Sequence, residues 1–213
     1  FVYALGSIRP VFPDEGLRKE FEFAARTLNT ETNANLAPDD YYPVFSYIDK
    51  DTCLPRYRYI AEQVIWVMDI KDTDTYIIVP RSAFELTELI ESLKTKPDSW
   101  ENNLSLVIGV IGPLSSQEQS AGLQLPVVLC NQLFYGFHIQ DLIKNFSTDP
   151  SLDGKTISRV LSLIELQPNA GDTDERRALN YLGFRYQEIY KAPSAPSTGS
   201  QYTMIAVKTE AET

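Results

Sequence analysis

Cys53, Cys130 and His138 are the side chains best suited to bind a soft metal or carry nucleophilic chemistry, in a chain with two cysteines and one histidine. Zinc would need all three and a fourth ligand from an acid, water or a second copy of the chain. None of the spacings resembles a C-x2-C pair. For covalent catalysis, Cys130 stands eight residues before His138, and Asp141, one helical turn further on, would orient the imidazole. Asp141 is equally an ordinary first-turn acid facing a helix dipole, and no neighbouring motif supplies an oxyanion hole. Buried thiols and a structural histidine are therefore preferred. No catalytic, cofactor or metal residue is assigned, and zinc through Cys53, Cys130 and His138 is the minor alternative. One disulfide is conceivable; reduced thiols are the simpler expectation.

A second cluster suits binding rather than catalysis. Tyr41, Tyr42, Tyr47, Tyr57 and Tyr59, with Phe45 and Trp66 nearby, are the residue types that bury large area at low entropic cost in contact surfaces. They either line a groove for a peptide or staple an irregular segment onto the domain, and the second is favoured. Arg56 and Arg58 alternate with Tyr57 and Tyr59, which in a strand puts both arginines on one face, toward acidic residues of a partner or toward solvent. Tyr57, Tyr59, Trp66, Arg56 and Arg58 form the candidate partner or peptide site. Among later residues Arg176, Arg177 and Arg185 stand out. Arg177 and Arg185 share roughly one helix side, Glu188 follows Arg185 at i+3, and an internal ion pair is preferred to a partner dock.

The remaining chemistry is excluded by what the chain lacks. It contains no G-x-S-x-G, H-E-x-x-H, G-x-x-x-x-G-K-[ST] or G-x-G-x-x-G. With 19 Lys+Arg against 29 Asp+Glu, the formal net charge of −10 argues against nucleic acid, whose phosphates need concentrated cations. Apolar runs such as Val64–Met68 and Leu104–Ile111 fall far short of the roughly 20 residues of a membrane helix. A soluble, cytoplasmic protein is expected. Phe1 is not an initiating residue and no secretory apolar core follows it, so the chain is expected to be a piece of something longer.

The elements that must position these residues follow from periodicity. Residues 1–8 read as a strand. Pro13 and Asp14 open a helix with Leu17, Phe21, Ala24 and Leu28 on one face, and residues 30–40 read as loop. Two apolar runs, Val64–Met68 and Tyr76–Val79, flank an Asp-rich turn and predict a hairpin covered on both faces. Ser82 and Glu85 fit a capping box, ahead of a stripe of Leu86, Leu89, Ile90 and Leu93. Core strands are predicted over 104–111 and 127–130, with 112–122 as loop between them. Helices follow at Ile139–Phe146, at Ile157–Ile164, and behind the acidic start Asp172–Glu175, where Leu179, Leu182, Tyr186 and Ile189 recur. Residues 192–201 read as a flexible Pro/Ser-rich loop, and 202–207 as a last strand. These elements make an α+β fold of one domain over residues 1–213, with a mixed or antiparallel sheet of about six strands and about five helices.

Three segments in order, FVYALGSIRPVFP, IWVMDIKDTDTYIIVPR and NAGDTDERRALNYLGFRYQEIY, resemble the C-terminal domain of unknown function of PatG-type cyanobactin maturation proteases, which has a homologous copy in the PatA-type protease. The resemblance spans Phe1 to about Lys191. It implies an accessory module of a multidomain protein that makes ribosomal cyclic peptides of the patellamide kind. In such proteins a subtilisin-like domain cleaves and macrocyclises the precursor, and some carry an oxidase domain. His138 lies in Phe-His-Ile-Gln and not in the His-Gly-Thr of a subtilisin-like triad, so no catalytic residue carries over. Where many relatives have cysteines before the hairpin Trp and before a Gly-Leu pair, this chain has Ile65 and Ser120. The expected role is non-catalytic: assembly, a homodimer, or docking of the protease or the precursor peptide. A Cys- or metal-dependent enzyme using Cys130, His138 and Asp141 is the alternative.

Overall fold

A computed structural model describes residues 1–94, 104–118, 120–137 and 167–185. The first strand, β1 (Val2–Val11), buries Val2, Ala4 and Ile8 on one side. α1 (Glu15–Thr32) follows, capped by the Asp14 carboxylate accepting from the Leu17 N–H at 2.9 Å. Its buried stripe is Leu17, Phe21, Ala24, Ala25 and Leu28. The helix runs three residues into the stretch expected to be loop, and there the Thr30 and Thr32 hydroxyls bond the carbonyls of Arg26 and Leu28, one turn back. It ends at Asn33, which adopts the left-handed conformation.

Two short helices, α2 (Tyr41–Phe45) and α3 (Arg58–Gln63), organise the tyrosine-dense stretch. The hairpin is β2 (Ile65–Asp69) and β3 (Asp74–Val79), antiparallel, with Trp66 opposite Ile78. Lys71 and Asp72 both have positive φ, the combination that matches a two-residue turn to strand twist. The carboxylate that bonds a turn amide comes from Asp69, just before the Asp-rich stretch, accepting from the Asp72 N–H, while the Asp74 carboxylate takes Arg9. α4 (Ala83–Ser92) begins at Ser82, whose hydroxyl accepts from the Glu85 N–H at 3.2 Å, while the Glu85 carboxylate takes the N–H of Arg81.

β4 (Leu104–Leu114) and β5 (Pro126–Phe137) are longer than their apolar runs predict. They pair from Leu104↔Phe137 to Leu114↔Pro126, so each strand's backbone extends the other beyond its hydrophobic segment. α5 (Asp174–Arg185) completes the described elements, with Asp174 and Glu175 in its first turn and the Thr173 hydroxyl accepting from the Arg176 N–H. The predicted helices over 139–146 and 157–164, the strand 202–207 and the loop 192–201 lie outside the described residues.

The class is α+β and the sheet is mixed. Among the described residues it has five strands, not about six, and it closes into a barrel in the order β1-β2-β3-β5-β4. β3 and β5 are parallel and the other pairs antiparallel. This order, with a helix between β3 and β4, is the Greek-key arrangement of OB-type barrels. Closure depends on β1, which pairs with β4 through Val2–Gly6 and with β2 through Ser7–Val11. Gly6 sits at the changeover, where an added Cβ would lie 2.3 Å from the Asp69 carbonyl oxygen.

All five strands contribute to the largest core cluster, including Val2, Met68, Ile78, Val107 and Cys130, so it fills the barrel interior. Leu86, Leu89 and Ile90 of α4 and Phe21 of α1 join it. On the outside, Leu5, Leu106 and Ile108 pack against Phe184 of α5, while Ile65, Val67 and Ile77 meet Leu123 and Leu125 of the β4–β5 connection.

Candidate functional site

The aromatic segment is built into the core. Phe12, Phe21, Tyr41, Phe45 and Trp66 form a chain of ring contacts with centroids 5.2–6.2 Å apart. Trp66 is 2% exposed and donates its Nε1–H to the Ala61 carbonyl at 3.1 Å. Tyr57 is buried against Tyr47, and burial raises its phenol above the ordinary range. Of the candidate aromatics, Tyr59 alone is exposed, with its hydroxyl beside Glu20.

Residues 56–59 are not a strand, so Arg56 and Arg58 do not share a face. They lead into α3, and each guanidinium is taken up internally. Arg56 Nη1 contacts both Glu31 carboxylate oxygens at 3.0–3.1 Å and stacks 5.2 Å above Tyr57. Arg58 donates to the Ala83 carbonyl and to Thr87 Oγ1, the latter at 3.0 Å, which ties α3 to α4. Stapling is thus what Trp66, Tyr57, Arg56 and Arg58 visibly do. Arg176 pairs with Asp172 at 2.9 Å, and Arg177 contacts Asp174 and the Phe1 carbonyl. The Arg185 side chain and Glu188 lie outside the described residues.

Cys53 and Cys130 are both free thiols, the first exposed and the second fully buried. Burial pushes the Cys130 thiol up to about 12, with Glu85 adding to the shift, so it stays protonated at neutral pH. His138 and Asp141 lie outside the described residues. Among the described residues, no three of His, Cys, Asp and Glu gather as a metal site would require, and no helix is long and apolar enough to cross a membrane.

One arrangement on the barrel exterior had no counterpart in the sequence reading. Val79 of β3 pairs with Leu129 of β5, and Leu129 pairs with Val110 of β4, placing three apolar side chains in a row across adjacent strands. They are 36%, 41% and 39% exposed respectively. The row leads into a cleft of about 670 Å³ lined by Val79, Leu114, Pro113, Pro80, Glu62 and the Trp66 edge. Leu114 is 65% exposed at its mouth. The row depends on a parallel register between strands about 50 residues apart, which local patterning does not contain.

The family profile described as PatG Domain matches residues 1–121. The chain belongs to that family. A second profile, PatG C-terminal, matches residues 148–211. A solved structure titled PatG Domain of Unknown Function shares the fold, with a TM-score of 0.53 at 17% identity over 91% of this chain and 73% of that one. No curated protein matches the chain. The resemblance found in the three sequence segments is thus correct at the level of a PatG domain of unknown function. The NAGD segment that carried part of it forms the strap at residues 169–172, hydrogen-bonded along β1.

Proposed function

We propose that this PatG domain is a non-catalytic accessory module, one domain over residues 1–213, of a cytoplasmic subtilisin-like cyanobactin maturation protease in the biosynthesis of patellamide-type cyclic peptides. Its work is to hold components together, by self-association as a homodimer or by docking the protease or the precursor peptide. The observation that carries the reading is the exposed row Val79–Leu129–Val110, because contiguous apolar surface on a folded domain marks a contact site. The competing enzyme reading through Cys130, His138 and Asp141 is weakened by the thiol's burial, which withholds both the thiolate and access to it.

Light scattering on the purified chain, compared with Leu129→Asp, tests the assembly version. The wild type is expected to exceed the 24.1 kDa monomer mass and the variant to fall back to it. Calorimetric titration with precursor peptide tests docking. A monomeric wild type that also gives no heat with the peptide defeats the proposal, as does conversion of a linear peptide by the isolated domain.

A further inference from the structure

The cleft at the end of the exposed row carries a polar feature that the row lacks. Val79 belongs to both, and Pro80, Pro113 and Leu114 extend the apolar wall of the cleft. Pro80 and Pro113 bring no N–H of their own. Ser120 also lines the cleft, is 5% exposed, and its hydroxyl makes no hydrogen bond among the described residues. A buried hydroxyl without a partner is unfavourable, so one kept beside a cleft points to a partner from outside the chain.

The connection that carries Ser120 is tied down on its own account. The Ser115 N–H donates to the Leu125 carbonyl at 2.9 Å, and the Ser115 hydroxyl donates to the Leu123 carbonyl at 2.8 Å. The Gly122 N–H reaches the Gln117 carbonyl at 2.9 Å, and the Leu123 N–H reaches the Ser120 carbonyl at 2.8 Å. Leu123 and Leu125 then pack on Ile65, Val67 and Ile77 of the hairpin. The cleft, of about 670 Å³, is therefore bounded by strands and by a fixed turn, and its size suits a compact ligand or a few residues of peptide.

We infer that the cleft and the row together bind an uncharged apolar peptide segment in extended form, one peptide group of which pairs with the Ser120 hydroxyl. A hydroxyl both donates and accepts, so it suits either the N–H or the C=O of a peptide group. Three adjacent strands make the row about 10 Å long, about three residues of extended chain, so a compact molecule in the cleft would leave the row uncovered. Among the described lining residues Glu62 alone is charged, with Arg58 at 3.8 Å, so an anionic segment meets no cation there. A second copy of the chain would bring its own net charge of −10 to the surface, which repels. The inference deepens the docking half of the proposed function and rests on it.

The probe is a rhodamine-labelled Gly-Leu-Ala-Leu-Ala-Leu-Gly peptide, followed by anisotropy against the full chain, with Gly-Ser-Ala-Ser-Ala-Ser-Gly as its polar match. The apolar peptide is expected to bind at least about tenfold more tightly than the polar one, with an affinity that holds as salt is raised. Leu114→Asp, at the exposed mouth, should cost about tenfold or more. Ser120→Ala should weaken binding about fivefold, yet leave the unliganded chain at least as stable in urea as the wild type, because it removes a hydroxyl without a partner. A hydroxyl with a purely structural role would instead lower the urea midpoint when removed. Equal affinity for the two peptides, no binding, unchanged affinity in either variant, or a destabilised Ser120→Ala chain would each overturn the assignment. So would a mass of two chains that Leu114→Asp halves while the peptide fails to bind, which gives the surface to a second copy. If the probe fails while precursor peptide still gives heat, the cleft is wrong and docking stands. If the probe binds while precursor peptide gives no heat, the cleft stands and its peptide comes from another protein.

Discussion

Asn169 and Asn180 meet amide to amide, each Nδ2–H donating to the other's Oδ1 at 2.9 Å. Asn180 is fully buried and also donates to the Tyr3 carbonyl, while Asn169 exchanges both backbone hydrogen bonds with Leu5 at 2.8 and 2.9 Å. The pair therefore fastens α5 and the strap before it to the part of β1 that β2 leaves unpaired. Buried amides that satisfy one another hold a single register, because any slip leaves donors stranded.

Removing one member should be costly. Asn180→Leu is expected to destabilise by about 2–3 kcal/mol, since the Tyr3 carbonyl loses the Asn180 donor and the Asn169 amide keeps only its bonds to the Gln167 carbonyl and the Gly171 N–H. Urea titration measures it, and a double-mutant cycle with Asn169→Ala should show strong coupling. Additive losses would mean that the two side chains act separately.

Gly171 is required by space and by backbone. An added Cβ would lie 1.9 Å from the Tyr3 carbonyl oxygen, and φ is +56°. Gly171→Ala is expected to cost more than about 3 kcal/mol, beyond the usual glycine effect, because backbone and not a flexible side chain must yield. Thermal unfolding reports it; a shift of only a degree or two contradicts the packing.

Cys130 predicts both a reactivity difference and a pH dependence. Iodoacetamide at pH 8 should modify Cys53 in the folded chain and reach Cys130 only on unfolding. The Cys130 pKa is raised from 9.0 to about 12, so its contribution to stability is fully present below pH 9. That contribution is lost as pH rises through about 12, because the unfolded chain gives up the proton first. Cys130→Val should remove this share of the alkaline slope in urea titrations between pH 9 and 11; identical slopes for variant and wild type would contradict it.

Trp66 should behave as core. Trp66→Ala is expected to destabilise by about 3–5 kcal/mol, and the Trp66→Phe variant by less, through loss of the bond to Ala61 and some volume. In the folded Trp66→Phe variant, peptide affinity should remain that of the wild type. A selective loss of binding there would restore Trp66 as a contact residue.

What the sequence by itself determined is the local half of the molecule. The stripe Leu17–Phe21–Ala24–Leu28, the two apolar runs of the hairpin and the Ser82 cap each state their element within a dozen residues, because helix and strand periods are properties of neighbours. Patterning also favoured packing over binding for the tyrosine-dense stretch, which the ring contacts support. It left open whether Trp66 is a contact or a core residue, and put Arg56 and Arg58 on one face only for the case of a strand, because a six-residue helix at Arg58–Gln63 carries too few turns to reveal its period. Barrel closure through Gly6, the exposed row Val79–Leu129–Val110 and the Asn169–Asn180 pair were decided only by tertiary structure. Each joins strands or straps far apart in the chain, where register is set by long-range pairing and burial, and no local period records which residues will meet.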